Sequence, residues 1–400
     1  MHLTFLTVAF TLVAIIEGSQ LFGIYEETDQ NEYEELNVER RNSVNPVLLV
    51  PGLGGSQLEY RKKDKTSSSY ETLWLSFWKM IDGDKGYRRD VSVVYNMTSN
   101  TFSSQPDLDV HPVDFGGVDG ISTVVPHFSI IAGYYDKLVD NLKKAGYTVG
   151  QNLFGIPFDF RIMTPQQLAK SGVYSQVKRL IEKAYIMNGN KRIHLVGHSE
   201  GCSFLHQFIT SFINDVSWTN KYIASMNLVS PVFGGATIAL AFAAGPKKWV
   251  VPTMSAEHTH EVVKFFAAPN MKVSLHYGVG LKTMVRLEYK GKQYQQSNKD
   301  DTNTNKEDYD SNSEYNSESN SEYNNKEIDY WWMNEPKEIN GDGDGTVPIQ
   351  SFQVPQKWKN EQKQEVTWEE YHKVEHVNIL KDSKLILRII DIVTQDEETK

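Results

Sequence analysis

A chain of 400 residues with 40% hydrophobic and 12% aromatic content buries a substantial core, in one large α/β domain or two smaller ones. The formal charge of -10, from 41 Lys and Arg against 51 Asp and Glu, offers no basic face to a phosphate backbone and argues against nucleic-acid binding. Cys202 is the only cysteine, so an intrachain disulfide is excluded and the fold rests on packing; the residue reads as a small buried apolar group.

The apolar run Leu3 to Ile16, followed by Glu17-Gly18-Ser19, resembles a signal peptide over residues 1–19 and is short for a membrane span. It predicts entry into the secretory pathway, with residues 20–400 forming the folded part. The sequon Asn96-Met97-Thr98 is compatible with that route.

Val47-Leu48-Leu49-Val50 has the composition of a buried strand and ends in Pro51-Gly52-Leu53-Gly54-Gly55, a loop that lets backbone approach a ligand. The spacing of Leu138, Val139 and Leu142 predicts a helix over 134–144. Strand and loop are then predicted over Tyr147-Thr148-Val149 and Asn152-Leu153-Phe154-Gly155, and a second helix over 166–187. Ile193 to Val196 is a short apolar strand, Gly197-His198-Ser199-Glu200-Gly201 a turn, and Phe204 to Ile213 an amphipathic helix. Met226 to Ser230 is the next predicted strand. After Gly235, the small apolar stretch Ala236 to Ala244 and Lys247 to Pro252 read either as a mobile lid, as a surface touching lipid, or as a core-packing helix. Residues 297–326, rich in Asn, Ser, Asp, Glu and Tyr, carry too little apolar surface to offset ordering entropy. They are predicted to be a disordered insertion inside one domain, between the strand-like Thr283 to Tyr289 and Tyr330-Trp331-Trp332. Strands alternating with helices predict a parallel sheet with covered faces, whose site lies at the carboxyl ends of the strands.

The strand, Gly-x-Ser-x-Gly turn and helix around Ser199 form the elbow that turns a serine into a nucleophile and leaves its hydroxyl exposed above the sheet edge. Such a hydroxyl needs a histidine base, oriented by a carboxylate, and in this architecture the chain order is Ser, acid, His. Asp344, at the tip of the Gly-rich loop 340–348 with backbone amides nearby, is preferred as the acid, with Asp342 as the fallback. His376, just before an apolar helix start, is preferred as the base over His372, which follows Glu369-Glu370-Tyr371 and reads as solvated surface. His194 and His198 read as structural groups. A calcium reading of the acidic loop fails on counting: it starts at Asn340 and ends at Ser351, where a bidentate Glu is required. The tetrahedral oxyanion needs two backbone donors, assigned to the amides of Glu200 and Leu53.

With these segments in hand, the chain resembles the lecithin:cholesterol acyltransferase family. The resemblance is carried by Val47 to Glu59, Leu73-Trp74-Leu75, Gly155 to Arg161, Ser230 to Gly235 and Tyr277 to Gly280, in family order and over about 45–382. It implies an α/β-hydrolase fold, a mostly parallel central sheet with helices on both faces and a small lid. It also implies acyl transfer from a phospholipid, through a Ser199 acyl-enzyme, to a lipid alcohol (sterol, diacylglycerol or ceramide) or to water. It supports Ser199, Asp344 and His376 as triad and Leu53 and Glu200 as oxyanion donors, and matches Trp74 to an aromatic near the acyl site. Glu200 departs from the apolar residue usual in the family, and a carboxylate facing the pocket would oppose oxyanion formation, so it is expected to point away. The segment from Gly235 to Tyr277 is short for the family, and the family's cysteines are absent.

The expectation is therefore a secreted or lumenal serine acyltransferase or phospholipase A acting at membrane or lipoprotein surfaces, with no metal or organic cofactor. An esterase on soluble substrates with the same triad and a non-catalytic lipid-binding relative are the alternatives.

Overall fold

The structure, a computed structural model, describes residues 36–41, 44–64, 69–76, 79, 85–99, 101–125, 133–162, 165–238, 267–288 and 337–395. The predicted signal peptide, the 297–326 insertion, Lys247 to Pro252, most of the Ala236 to Ala244 stretch and Tyr330-Trp331-Trp332 lie outside the described residues.

In chain order the strands are β1 (Val47–Val50), β2 (Leu58–Lys62), β3 (Glu71–Trp74), β4 (Val94–Asn96), β5 (Thr101–Ser103), β6 (Leu108–Pro112), β7 (Leu153–Gly155), β8 (Ile193–His198), β9 (Ile223–Val229), β10 (Val273–Val279), β11 (Leu281–Glu288), β12 (Lys337–Gly343) and β13 (Val366–His372). The helices that frame the site are α1 (Asp136–Lys144), α2 (Val173–Met187), α3 (Glu200–Gln207), α4 (Val216–Tyr222) and α5 (Ser383–Thr394). Six strands make one parallel sheet in the order β13-β10-β9-β8-β1-β7. β1, β8 and β10 are buried along their whole length, and β9 over all but one residue, as expected of strands covered on both faces. Two groups of helices flank this sheet: α1 packs with α5, and α2 packs with α4 and against β8.

The central strands also bury polar side chains, several of which pair within the sheet. His194 Nδ1 lies 2.7 Å from Ser225 Oγ, and Asn227 donates to the Leu195 carbonyl at 3.1 Å. His276 sits between Ser274 Oγ and the Tyr371 hydroxyl at 3.0 and 3.2 Å. A buried polar atom left alone costs on the order of 1–3 kcal/mol, so each of these pairs offsets part of the cost of placing polar residues in the core, although His194 Nε2 and Asn227 Oδ1 keep no partner.

Three local expectations are corrected. The helix expected over 166–187 is two helices, Pro165–Lys170 and α2, because Gly172 adopts φ 82 at the N-cap of α2 and breaks the ladder. The helix after the elbow changes to a π-helix at Phe208–Ile213; Tyr174 lies 5.0, 5.7 and 5.4 Å from the ring centres of Phe204, Phe208 and Phe212, so one aromatic seam spans both pieces. Of the predicted Tyr147-to-Val149 strand only an isolated bridge at Val149 remains. The amides of Gln151, Asn152 and Leu153 all return to the Thr148 carbonyl, which closes a turn before β7.

Two additions to the main sheet shape the site. β11 leaves β10 through Gly280 and pairs antiparallel with β12, matching Leu281 with Gly343, so the chain arrives at Asp344 beside the carboxyl end of β10. β2 pairs antiparallel with both β3 and β6 and brings Trp74 over the loop that follows β1.

Candidate active site

Ser199 follows the last residue of β8 and caps the N-terminus of α3 with φ 55 and ψ -121, a conformation rarely held by a residue with a Cβ and characteristic of functional turns. The close approach that creates it depends on glycine. A Cβ on Gly201 would lie 2.4 Å from the Val50 carbonyl oxygen, and one on Gly52 would lie 2.7 Å from the Ser199 Cβ. The loop after β1 therefore packs directly on the elbow, and Ser199 is only 8% exposed. This corrects the expectation of an exposed hydroxyl: the sharp turn lifts Ser199 out of the strand, but the Gly-rich loop covers it.

Three distant stretches of chain converge here. His376 Nε2 lies 2.9 Å from Ser199 Oγ, and His376 Nδ1 lies 2.6 Å from Asp344 Oδ2. A carboxylate only accepts, so Nδ1 carries the hydrogen and donates to Asp344; Nε2 is then the acceptor that receives the Ser199 hydroxyl hydrogen. Asp344 is fully buried, and its other oxygen accepts the amides of Val347 at 2.7 Å and Thr346 at 3.1 Å. Asp342 serves a different partner, accepting the Gly280 amide at 2.6 Å, so the fallback acid is a turn fastener. His372 is exposed at the end of β13, as its acidic surroundings predicted.

The two expected oxyanion donors lie on the segments packed around Ser199. Glu200 is the first residue of α3, where an amide has no carbonyl a turn earlier to bond within the helix. Leu53 is the tip of the covering loop and is 53% exposed. Its neighbour Gly52 is already committed, donating to the Tyr134 hydroxyl at 2.9 Å. Trp74 is buried, donates its indole N–H to the Gly54 carbonyl at 2.8 Å and packs edge-on against Phe160 at 5.3 Å. It clamps the loop that carries Leu53, a contact the sequence did not reveal.

The Glu200 carboxyl beside the nucleophile is handled by enclosure. Its Oε2 is enclosed without a hydrogen-bond partner, and burial pushes its pKa up to about 8. Burial thus disfavours the ionised form, which lessens the negative charge the group brings to the neighbourhood of Ser199. Cys202 is buried, its thiol lies toward the Gly197 carbonyl at 3.2 Å, and burial raises its pKa, so it is an inert packing group.

A parallel sheet with a serine elbow between β8 and α3, an acid beyond the β11–β12 pair and a histidine after β13 defines the α/β-hydrolase fold. The sequence profile described as lecithin:cholesterol acyltransferase matches residues 70–268 and 253–383, and the chain belongs to that family. Similar curated proteins include mouse (Mus musculus) phosphatidylcholine-sterol acyltransferase, 28% identical over 227 residues, 54% of this chain and 50% of that protein. Lecithin-cholesterol acyltransferase-like 1 of Arabidopsis thaliana is 32% identical over 223 residues, 48% of this chain and 50% of that protein. Bovine (Bos taurus) lysosomal phospholipase A and acyltransferase is 30% identical over 201 residues, 48% of each chain. The chain thus spans about half the length of these relatives. Among solved structures, a Listeria innocua gene product is similar at a TM-score of 0.34 and 11% identity, covering 90% of this chain and 97% of that one. The fold assignment rests on the topology above.

Proposed function

We propose that the protein transfers an acyl chain from a phospholipid, through an ester on Ser199, to a lipid alcohol or to water. The observation that carries this reading is the continuous array from Ser199 Oγ to His376 Nε2 at 2.9 Å and from His376 Nδ1 to Asp344 Oδ2 at 2.6 Å. His376 takes the Ser199 proton as Oγ attacks the ester carbonyl carbon. Asp344 stabilises the imidazolium, and the Leu53 and Glu200 amides receive the oxyanion. The bond to the lyso-lipid oxygen breaks, and that oxygen takes the proton from His376. An alcohol or water then gives its proton to His376 as its oxygen attacks the acyl carbonyl carbon, and the bond to Ser199 Oγ breaks as Oγ takes that proton from His376.

Phospholipid as the acyl source is supported by the relatives' names, phosphatidylcholine-sterol acyltransferase and lysosomal phospholipase A and acyltransferase. We place the enzyme in the secretory pathway, outside the cell or in a lumen, working peripherally at lipid surfaces. The apolar segment Leu3 to Ile16 and the exposed Asn96 of the sequon support that placement. Among the described residues no helix is long and apolar enough to cross a membrane.

The test is product analysis by mass spectrometry with phosphatidylcholine vesicles containing sterol, diacylglycerol and ceramide together. The reading expects lysophospholipid with either an acylated alcohol or free fatty acid. Turnover of a soluble short-chain ester, with no lysophospholipid formed from vesicles, would establish the soluble esterase instead.

A further inference from the structure

The loop that covers Ser199 and the loop that carries His376 come from distant parts of the chain, and one line of buried hydrogen bonds joins them. The Gly52 amide donates to the Tyr134 hydroxyl at 2.9 Å, and that hydroxyl meets His198 Nδ1. His198 Nε2 lies 2.8 Å from the main-chain carbonyl oxygen of His376. Tyr134 and His198 are 2% and 1% exposed.

The direction of this line follows from its end. A carbonyl oxygen only accepts, so His198 Nε2 carries a hydrogen and donates to it. A neutral imidazole then has a bare Nδ1, which only accepts, so Tyr134 donates its O–H there and accepts the Gly52 amide on its oxygen. Each donor meets an acceptor without any group being charged. Enclosure keeps it so: burial lowers the His198 pKa well below its ordinary value, and burial raises that of Tyr134.

We propose that Tyr134 and His198 are positioning residues, a relay that holds the oxyanion loop at Gly52 and the His376 backbone in one register behind Ser199. The proposal rests on the triad reading given above. Packing alone does not account for the arrangement. The Tyr134 ring already meets Tyr135 edge-on at 5.1 Å and would do so as phenylalanine, whereas the polar line ends on main-chain groups of the two loops whose spacing matters. Oxyanion donors act only when held at about 2.7–3.1 Å from the developing charge, and the base must face both Oγ and the leaving oxygen. A loop displaced by a fraction of an ångström therefore lowers turnover more than binding.

The experiment is a double-substitution cycle on full-length protein with phosphatidylcholine vesicles. Tyr134→Phe removes the hydroxyl, and His198→Asn keeps an acceptor near the Nδ1 position but loses the donor to His376. His198→Gln is the complement, with an amide N–H able to reach the His376 carbonyl. Each of Tyr134→Phe and His198→Asn is expected to lower kcat by about 10- to 100-fold with KM changed by about 3-fold or less, because a buried partner is left unpaired. Combining them adds no more than about 3-fold to the worse single loss, since the second break falls in a line already broken. His198→Gln recovers part of the kcat lost in His198→Asn, and if His198→Asn does not fold, Tyr134→Phe with His198→Gln forms the cycle. Single variants at wild-type kcat, losses that multiply, or losses confined to KM would overturn the relay. A fluorophosphonate that labels wild-type Ser199 keeps the triad reading intact in that event; absence of labelling would remove the triad reading itself.

Discussion

His376 and Asp344 are joined twice: Nδ1 donates to Asp344 Oδ2 at 2.6 Å, and the His376 main-chain amide donates to the Asp344 carbonyl at 3.1 Å. The backbone link sets the separation of the two loops, and the side-chain link sets the tautomer. Asp344→Asn keeps the first and alters the second, since an amide can present N–H to Nδ1 and turn the ring's hydrogen toward Ser199. We expect kcat to fall by roughly 10⁴-fold with the fold retained. Asp342→Asn, which weakens only the cap on Gly280, should retain most activity. Steady-state kinetics on vesicles checks both, and equal losses in the two variants would contradict the assignment of the acid.

Trp74 fastens the covering loop through one hydrogen bond to the Gly54 carbonyl. Trp74→Phe preserves most of the aromatic packing and leaves that buried carbonyl unpaired, at a cost of about 1–3 kcal/mol. Part of this cost should appear as a loosened oxyanion loop, so the rate of Ser199 phosphonylation is expected to drop by about 10-fold. An unchanged rate would show that Trp74 contributes packing alone.

Glu200 gives a signed pH dependence. Its folded pKa is about 8, against roughly 4.3 in an unfolded chain. The stability contributed by holding the group neutral is complete below about pH 4.3 and is lost as pH rises through about 8. Glu200→Gln lacks this loss, so its thermal midpoint should gain on the wild type progressively between about pH 5 and 9. A difference between the two proteins that does not vary with pH would contradict the enclosed neutral carboxyl.

The buried histidines work in the opposite direction. Burial depresses His194 to about 3 and His206 and His276 to about 4, and holds His198 well below its ordinary value. Their neutral forms favour the folded state above the unfolded pKa of about 6.5, and that advantage disappears as pH falls toward the folded values. Each contributes a slope of up to about 1.4 kcal/mol per pH unit, so the thermal midpoint should drop steeply between about pH 6.5 and 4.5. Calorimetry across that range checks it, and a midpoint that holds level or rises would contradict it.

The elbow and the three side chains that converge on it are legible in the chain because each carries a local signal. Gly197 and Gly201 flank Ser199 at fixed spacing, the preceding strand is wholly apolar apart from its histidines, and the Asp344 loop carries its own amide donors at Thr346 and Val347. What could not be read were contacts with no local signature. Tyr134 reads in the sequence as the start of an amphipathic helix, yet its hydroxyl serves Gly52 and His198, 82 and 64 positions away. The resemblance matches Trp74 to an aromatic near the acyl site, and its indole contact with Gly54 has no local signal because it depends on the pairing of β2 with β3. The break at Gly172 was hidden because apolar residues on either side, Leu168 and Val173, keep helical composition across it. Burial of Ser199 likewise depends on a loop from 147 residues upstream, where Gly52 meets the elbow.

Peptide mapping by mass spectrometry after treatment with a fluorophosphonate tests whether Ser199 forms the covalent ester. One adduct is expected on Ser199 in the wild type and none in Ser199→Ala, with loss of lysophospholipid release from phosphatidylcholine vesicles in step with labelling. An unlabelled Ser199 in protein that still releases lysophospholipid, or release undiminished in Ser199→Ala, would contradict it.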